Sequence, residues 1–249
     1  MLMPLRDENP LVHKPIATIC LIGANLLAWA LLQGFGSPAG VGSSVCSFGF
    51  IPADVFNTEY VTAPVCPSDS SLGFATLFSS MFMHAGWLHL LGNMWFLWIF
   101  GDNVEDAMGP GRFVVFYLLC GLAAAGAQAL SDLSSNIPMV GASGAVGGVM
   151  GAYALLYPRA RILSLFIFFT VSIPAFVMLG YWVLIQVLGS LQPSTGGGVA
   201  FWAHIGGFVA GLALILVFRR NDFVQEHLAQ PRRNTARYHP FDAFQQEQR

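Results

Sequence analysis

The chain has 249 residues, of which 55% are hydrophobic and only 10% are charged. Soluble domains carry about 25% charged residues, so this composition excludes an ordinary soluble protein and predicts one embedded in a lipid bilayer. The net charge of -2, from 11 Lys and Arg against 13 Asp and Glu, leaves no basic surface for a nucleic-acid partner. Four cysteines without Cys or His ligand spacing predict neither a metal site nor a cofactor.

Six apolar runs are long enough to cross a membrane as helices, because about 20 apolar residues cover roughly 30 Å of hydrocarbon. They lie near residues 16–34, 86–104, 112–130, 140–157, 162–190 and 199–218. We therefore expect an all-α membrane protein, with a six-helix bundle over 16–218 between a short N-terminal segment (1–15) and a polar tail (219–249). Pro174 is expected to kink the fifth helix, and the tail to begin with a short helix followed by disordered chain.

Positive charge predicts the orientation of the bundle. All 11 Lys and Arg residues lie before helix 1 or after helices 2, 4 and 6, and such residues stay on the cytoplasmic side. Both termini are therefore expected in the cytoplasm, with the multi-pass chain in a bacterial plasma membrane and helices 2, 4 and 6 entering from outside. The stretch from Thr195 to Gly198 is expected to form a flexible outer loop.

The outer segment between helices 1 and 2, roughly 35–85, contains two features of its own. The apolar stretch from Phe74 to Met83 is too short to span and is expected to lie in the membrane interface. Cys46 and Cys66 are the only cysteines that the charge pattern places outside the membrane. An oxidising compartment favours a disulfide between them, with two unpaired thiols as the alternative.

Polar side chains that are costly in hydrocarbon lie at one common depth, near the outer ends of three predicted helices. Helix 2 carries His89 and, four residues later on the same face, Asn93; His204 lies at the start of helix 6. Ser143 lies in the first turn of helix 4. Intramembrane polar groups mark functional sites by default, so these four residues are the candidate site.

Small residues predict which helices touch. Helix 6 has them at 203, 207 and 211, and helix 4 at 143, 147 and 151, a spacing that lets two backbones approach closely. If these two faces dock, Ser143 and His204 meet near the outer leaflet.

The chemistry of these residue types is that of a serine hydrolase. A serine hydroxyl becomes a nucleophile when a neutral imidazole takes its proton, which assigns those roles to Ser143 and His204. His89, Asn93 and the backbone N–H of Ser143 supply donors for an oxyanion. No Asp or Glu lies in the outer halves of helices 2, 4 and 6, so the sequence predicts a Ser–His dyad without a carboxylate to orient the base.

The pattern of these motifs resembles the rhomboid family of intramembrane serine proteases over about residues 16–218. The matching motifs are Gly141-Ala142-Ser143-Gly144, His89 with Asn93, and Ala203-His204 with Gly207 and Gly211. The resemblance implies a six-helix rhomboid-type bundle in which Ser143 is the nucleophile, His204 the general base, and His89 and Asn93 the oxyanion donors. It implies structural roles for His84, for the glycines of these motifs, and for Glu105 at the inner end of helix 2.

The sequence departs from the family pattern at three places, one of which is the presence of Cys46 and Cys66 in the outer loop. The first outer loop lacks the Trp-Arg pair that many members carry. Gly147 stands where some members have a tyrosine that stacks on the catalytic imidazole. The sequence therefore leaves open what orients His204.

The predicted function is hydrolysis of peptide bonds in or near transmembrane segments of membrane-anchored proteins, with such proteins and the bilayer as partners and the oligomeric state left open. Substrates are expected to unwind easily and to have small residues at the cleavage point. Zinc and aspartyl proteases fit worse, since the sequence lacks HExxH and Asp102 stands alone at the cytoplasmic end. The alternatives are a non-catalytic rhomboid-like protein that binds transmembrane helices and, less well supported, a small-solute transporter.

Overall fold

The computed structural model describes residues 2–59, 65–66, 72–191 and 198–229. Within those ranges, six long helices correspond to the six predicted runs. They are α1 (Ile16–Leu31), α5 (Trp87–Asp106), α6 (Pro110–Ser131), α7 (Ser143–Leu156), α8 (Ala175–Ser190) and α9 (Phe201–Phe218). The ends of all but α8 agree with the predicted ends within about three residues.

The number of membrane crossings stays a prediction. Within the described residues, α6 and α9 are long and apolar enough to cross a bilayer by length and composition. The helices α1, α7 and α8 are apolar but shorter, and α5 ends in a polar stretch that contains Glu105 and Asp106.

The fold is mostly helical, as predicted, but it is not all-α, because the chain also forms a three-stranded antiparallel sheet. Its strands are β1 (Leu2–Asp7), β2 (Arg161–Phe166) and β3 (Phe169–Pro174), in the order β1-β2-β3. In the register, Ile162 lies between Asp7 of β1 and Ile173 of β3. The segment that precedes α1 therefore belongs to the fold.

The fifth predicted helix, 162–190, is correspondingly wrong over nearly half its length, up to Pro174. Along β2, Ile162 and Ser164 are buried whereas their neighbours Arg161, Leu163 and Leu165 are less so, which is the two-residue period of a strand. Pro174 does not kink a helix: it directly precedes the first residue of α8, where its missing N–H costs no helical hydrogen bond.

The sheet packs beside α5 and leads into α8. The indole N–H of Trp95, in α5, donates to the carbonyl of Pro4 in β1 at 2.7 Å. The hydroxyl of Tyr153, in α7, donates to Asp7 at 2.7 Å and accepts from the amide of Asn9 at 2.8 Å. The N-terminal segment is thus joined to two helices of the bundle.

At the centre of the bundle, α7 and α9 touch through their backbones. A Cβ added at Gly207 would collide with the carbonyl oxygen of Gly144, and one at Gly211 with that of Gly148. Only glycine permits so close an approach. The predicted face of α9 thus docks on α7, where the closest contacts are made by Gly144 and Gly148, next to the predicted positions 143 and 147.

The outer segment contains α2 (Pro38–Phe48), α3 (Pro52–Phe56) and α4 (Thr76–Ser79), with one 3-10 turn directly before α4 and another directly after it. A disulfide joins Cys46 in α2 to Cys66. Phe74 and Phe78 are exposed, as expected of a segment in the interface.

Beyond α9, the predicted tail helix is present as α10 (Asn221–Ala229). Residues 195–197 of the predicted outer loop and the tail from 230 onward lie outside the described residues.

Candidate active site

Three helices begin at the same end of the bundle and bring the candidate residues together. Ser143 is the first residue of α7, His89 the third of α5 and His204 the fourth of α9. The docking of Gly207 on Gly144 sets the relative height of α9 and α7.

This arrangement forms a hydrogen bond between the predicted nucleophile and base. Ser143 Oγ lies 2.8 Å from His204 Nε2. Both side chains are partly buried, so the pair lies in a recess that water still reaches.

The His204 ring also contacts two residues of α8 that the sequence reasoning missed. Nδ1 of His204 lies 2.7 Å from Oε1 of Gln186. The ring of Trp182 packs on the imidazole, with centroids 5.7 Å apart and planes inclined by 36°. A Cβ on Gly147 would lie 3.6 Å from this Trp182 ring, so α8 supplies the aromatic contact that a side chain at position 147 does not.

A signal for Gln186 was available in the sequence. It is the single strongly polar side chain in the apolar run 175–190, and a polar side chain at such a position points to a function. Gln186 lies on α8, outside the group of helices 2, 4 and 6 whose outer ends carry the predicted site.

His89 presents its Nε2 atom to the start of α7. Its Nδ1 accepts a hydrogen bond from the backbone N–H of Ala85 at 3.3 Å, so the proton of the neutral ring is on Nε2. A Cβ at Gly141 would lie only 2.6 Å from that Nε2, and the φ of +123° there also requires glycine. Gly141 thus leaves room for the ring of His89 two residues before Ser143.

Asn93 lies one turn below His89 in α5 and is buried. Its amide nitrogen donates to the backbone carbonyl of His89 at 3.0 Å. The side-chain amide has two N–H groups, so the second remains a donor for an anion at this site. Ser143 adds a backbone N–H at the start of α7, where no helical partner exists.

His84 lies behind the site. Its fully buried ring packs edge-on against His89, with centroids 5.1 Å apart. The side-chain amide of Gln33 binds the backbone of His84 twice: it accepts from the N–H of His84 and donates to the carbonyl of His84, each at 2.8 Å. His84 therefore acts as a support for His89, and Gln33 is a structural residue that sequence reasoning also missed.

A small cavity opens beside Ser143. Most of the residues that line it are small, namely Gly121, Ala124, Gly141, Gly144, Ala145, Ala200, Ala203, Ser80 and Ser143, and the rest are Met81, Met139 and Val140. Its walls leave room for a small apolar substituent next to the serine oxygen.

A metal centre finds no support in the part of the chain that the structure describes. No group of three or more His, Cys, Asp or Glu side chains there is arranged to hold a metal ion.

Comparison with known proteins decides the family. The model of the Rhomboid domain matches residues 72–221, which is more than half of the chain and includes all four candidate residues. The chain belongs to the rhomboid family. As a rhomboid protein it is a membrane protein of a family whose members are generally serine proteases that act on transmembrane substrates.

Curated rhomboid relatives extend over the same region. Rhomboid protein 1, mitochondrial, of Saccharomyces cerevisiae is 32% identical over 164 residues, covering 62% of this chain and 42% of the relative. Rhomboid-like protein 11, chloroplastic, of Arabidopsis thaliana is 32% identical over 153 residues, covering 55% of this chain and 50% of the relative. Presenilin-associated rhomboid-like protein, mitochondrial, of Mus musculus is 26% identical over 141 residues, covering 53% of this chain and 35% of the relative. The match thus spans half or less of the length of these relatives.

Glu105 lies in this rhomboid protein at the opposite end of α5 from His89. Its carboxylate accepts hydrogen bonds from the backbone N–H groups of Ala17 and Thr18, at 2.9 and 2.7 Å, and from the Thr18 hydroxyl at 2.8 Å. These contacts fix the first turn of α1 to α5 and leave Glu105 with no contact to the dyad.

Proposed function

We propose that this rhomboid protein is an intramembrane serine endopeptidase that cuts membrane-anchored proteins in or near their transmembrane segments. The observation that carries the proposal is the 2.8 Å hydrogen bond between Ser143 Oγ and His204 Nε2, with the donors of His89, Asn93 and the α7 N-terminus beside it. Nucleophile, base and oxyanion donors together are what acyl transfer requires.

In the acylation step, Ser143 Oγ attacks the scissile carbonyl while its proton passes to His204 Nε2. The carbonyl oxygen becomes an oxyanion that accepts hydrogen bonds from His89 Nε2–H, the Asn93 amide and the Ser143 backbone N–H. The His204 imidazolium then donates its proton to the leaving amine, which leaves an acyl group on Ser143.

In the deacylation step, His204 takes a proton from a water molecule that attacks the ester carbonyl. The second tetrahedral intermediate collapses, the proton returns from His204 to Ser143 Oγ, and the carboxylic acid product leaves. No cofactor is needed, since both steps are acid-base and nucleophilic chemistry.

The expected substrates follow from the cavity and from the membrane. A peptide bond inside a helix is shielded by backbone hydrogen bonds, so the substrate must unwind, which Gly and Pro favour. The cavity lined by Gly121, Ala124 and Ala203 then favours small side chains next to the cut.

The location of the reaction is part of the proposal. The sorting of Lys and Arg supports cytoplasmic termini and a site near the outer face of a plasma membrane. The bacterial membrane expected from the sequence gains no support from the relatives named above, which are mitochondrial and chloroplast proteins of eukaryotes.

Cleavage of a model transmembrane substrate in proteoliposomes tests the proposal. Ser143→Ala and His204→Ala are each expected to abolish cleavage while the protein stays folded, because either change disables the dyad. Ser131→Ala is a matched control, since that exposed hydroxyl contacts only a carbonyl of its own helix. Turnover by Ser143→Ala at the wild-type rate would contradict the Ser–His mechanism. No cleavage by the folded wild type would favour the alternative, a non-catalytic rhomboid-like protein that binds transmembrane helices.

A further inference from the structure

Gln186 is a buried amide in the otherwise apolar helix α8, and its two ends contact groups of opposite hydrogen-bonding character. It is 6% exposed. Its Oε1 lies 2.7 Å from His204 Nδ1, and its Nε2 donates to the carbonyl of Trp182 at 3.3 Å. Burying an amide in a membrane helix is costly unless both ends are satisfied, as they are here.

We propose, on the basis of the serine-protease function above, that Gln186 is the positioning residue that holds His204 in the tautomer required of a general base. The site then contains a hydrogen-bonded row of three side chains, Ser143, His204 and Gln186. In this row a neutral amide occupies the position at which other serine hydrolases have a carboxylate.

The direction of the hydrogen bonds follows from the amide itself. The Trp182 carbonyl can only accept, so it takes the Nε2–H of Gln186 and fixes which way the amide faces. Oε1 is then the atom that faces His204, and because it can only accept, His204 Nδ1 carries the proton. Nε2 of His204 is left with its lone pair toward Ser143 Oγ, ready to take the hydroxyl proton.

The same helix restrains the ring in a second way. Trp182 lies one turn before Gln186 in α8 and packs on the face of the imidazole. Its indole limits the tilt of the ring while the amide limits its rotation. Together they give α8 a role in aligning a dyad whose members lie on α7 and α9.

A neutral orienter differs from a carboxylate in one measurable respect. A carboxylate stabilises the imidazolium by charge, so the imidazole becomes neutral, and able to act as a base, only at higher pH. An amide fixes the tautomer without this effect. Replacing Gln186 by Glu keeps an acceptor for Nδ1–H but adds this charge, and replacing it by Met removes the acceptor at similar volume.

The experiment measures the second-order rate of Ser143 labelling by a fluorophosphonate between pH 5 and 9, in detergent, with a thermal melt for each variant. Gln186→Met is expected to lower the rate about 10-fold to 100-fold across the pH range, by analogy with the cost of removing a partner that orients a metal-bound imidazole. Gln186→Glu is expected to recover most of the rate, with the acid limb of the profile moved to higher pH. Gln128→Leu is the matched control, since that amide contacts the backbone N–H of Ala203 in α9 but not the imidazole.

The outcomes separate this inference from the proposed function. A wild-type rate and pH profile for Gln186→Met overturns the inference and leaves the protease intact. If Gln186→Met fails to fold, Gln186→Glu decides: an unmoved acid limb overturns the inference and a moved one supports it. A folded wild-type protein without any serine labelling overturns the proposed function, and the inference with it.

Discussion

His204 and His89 both direct Nε2 toward the start of α7, but their Nδ1 atoms have opposite partners. Nδ1 of His204 faces an acceptor, the Gln186 oxygen, whereas Nδ1 of His89 faces a donor, the N–H of Ala85. The neutral rings therefore carry opposite tautomers, with Nε2 of His204 an acceptor and Nε2 of His89 a donor. One residue type thus supplies both the base and the oxyanion donor.

Removing an oxyanion donor is expected to slow the chemical step more than it weakens substrate binding. His89→Ala and Asn93→Ala should each lower kcat by about 10²-fold to 10³-fold with a small change in KM, because the donors act mainly in the transition state. Steady-state cleavage of the model substrate in proteoliposomes measures both constants. An unchanged kcat in both variants would remove these residues from the site.

Among single residues, the sequence predicts the four whose polarity is unusual in a membrane helix. It does not predict Gln186 and Trp182, which contact His204. Ser143, His204, His89 and Asn93 stand out on helices that begin at one end. Tryptophan is common in membrane helices, so Trp182 gives no signal in the sequence, and its role follows only from the contact of its ring with the imidazole. That contact depends on how α8 lies beside α9, which no local pattern specifies.

At the scale of elements, the site depends on how closely α7 and α9 approach. The carbonyls of Gly144 and Gly148 occupy the space where side chains at 207 and 211 would be. Since Ser143 and His204 are rigidly attached to these two helices, the glycine contact also sets the distance between nucleophile and base.

Adding one methyl group at this contact is expected to separate the helices. Gly211→Ala should lower the free energy of unfolding by about 1–3 kcal/mol, the usual cost of overpacking, and slow fluorophosphonate labelling. Gly126→Ala in α6 is the matched control, because the added Cβ there would meet nothing within 4 Å beyond the nearby backbone of its own helix. Equal melting temperatures for the two variants, measured in detergent, would contradict a tight α7–α9 contact.

Glu105 provides a test at the other end of the bundle. Glu105→Gln should lower the free energy of unfolding by about 1.5–3 kcal/mol, because an amide cannot accept from the N–H groups of Ala17 and Thr18 and the Thr18 hydroxyl as the carboxylate does. Activity per folded molecule should not change. Glu226→Gln, at a half-exposed carboxylate, is the control. Loss of kcat without loss of stability would assign Glu105 to the site instead.

The sheet shows what a search for apolar runs leaves out. A hydropathy window measures how apolar a segment is and not its period, so residues 162–174 read as helix although β2 alternates in burial. The partner strand β1 lies about 160 residues earlier in the chain, and pairing over that distance leaves no local signal. The helices were predictable because each one carries its own pattern.

At the scale of the whole molecule, side-chain links restrain the segments outside the long helices at both ends of the bundle. At the outer end, the disulfide joins Cys46 in α2 to Cys66, later in the same outer segment. At the inner end, the buried carboxylate of Asp106 contacts the imidazoles of His13 and His227 at 2.7 and 3.1 Å, which ties the N-terminal segment and α10 together.

Reduction of the disulfide is expected to destabilise the protein. In the chain-entropy model, a loop of 20 residues between Cys46 and Cys66 contributes roughly 3 kcal/mol, so a reductant should lower Tm. The Cys46→Ser variant should melt lower than the wild type and be insensitive to reductant. Alkylation of both wild-type thiols before any reduction, measured by mass spectrometry, would show that the bridge does not form.

The central claim is that Ser143 is a nucleophile activated by His204. A fluorophosphonate reacts with an activated serine without any knowledge of the substrate, and mass spectrometry identifies the modified residue. We expect the label on Ser143 in the wild type, and no label there in His204→Ala or Ser143→Ala of equal thermal stability. Labelling at another serine, or equal labelling of Ser143 in His204→Ala, would contradict the account.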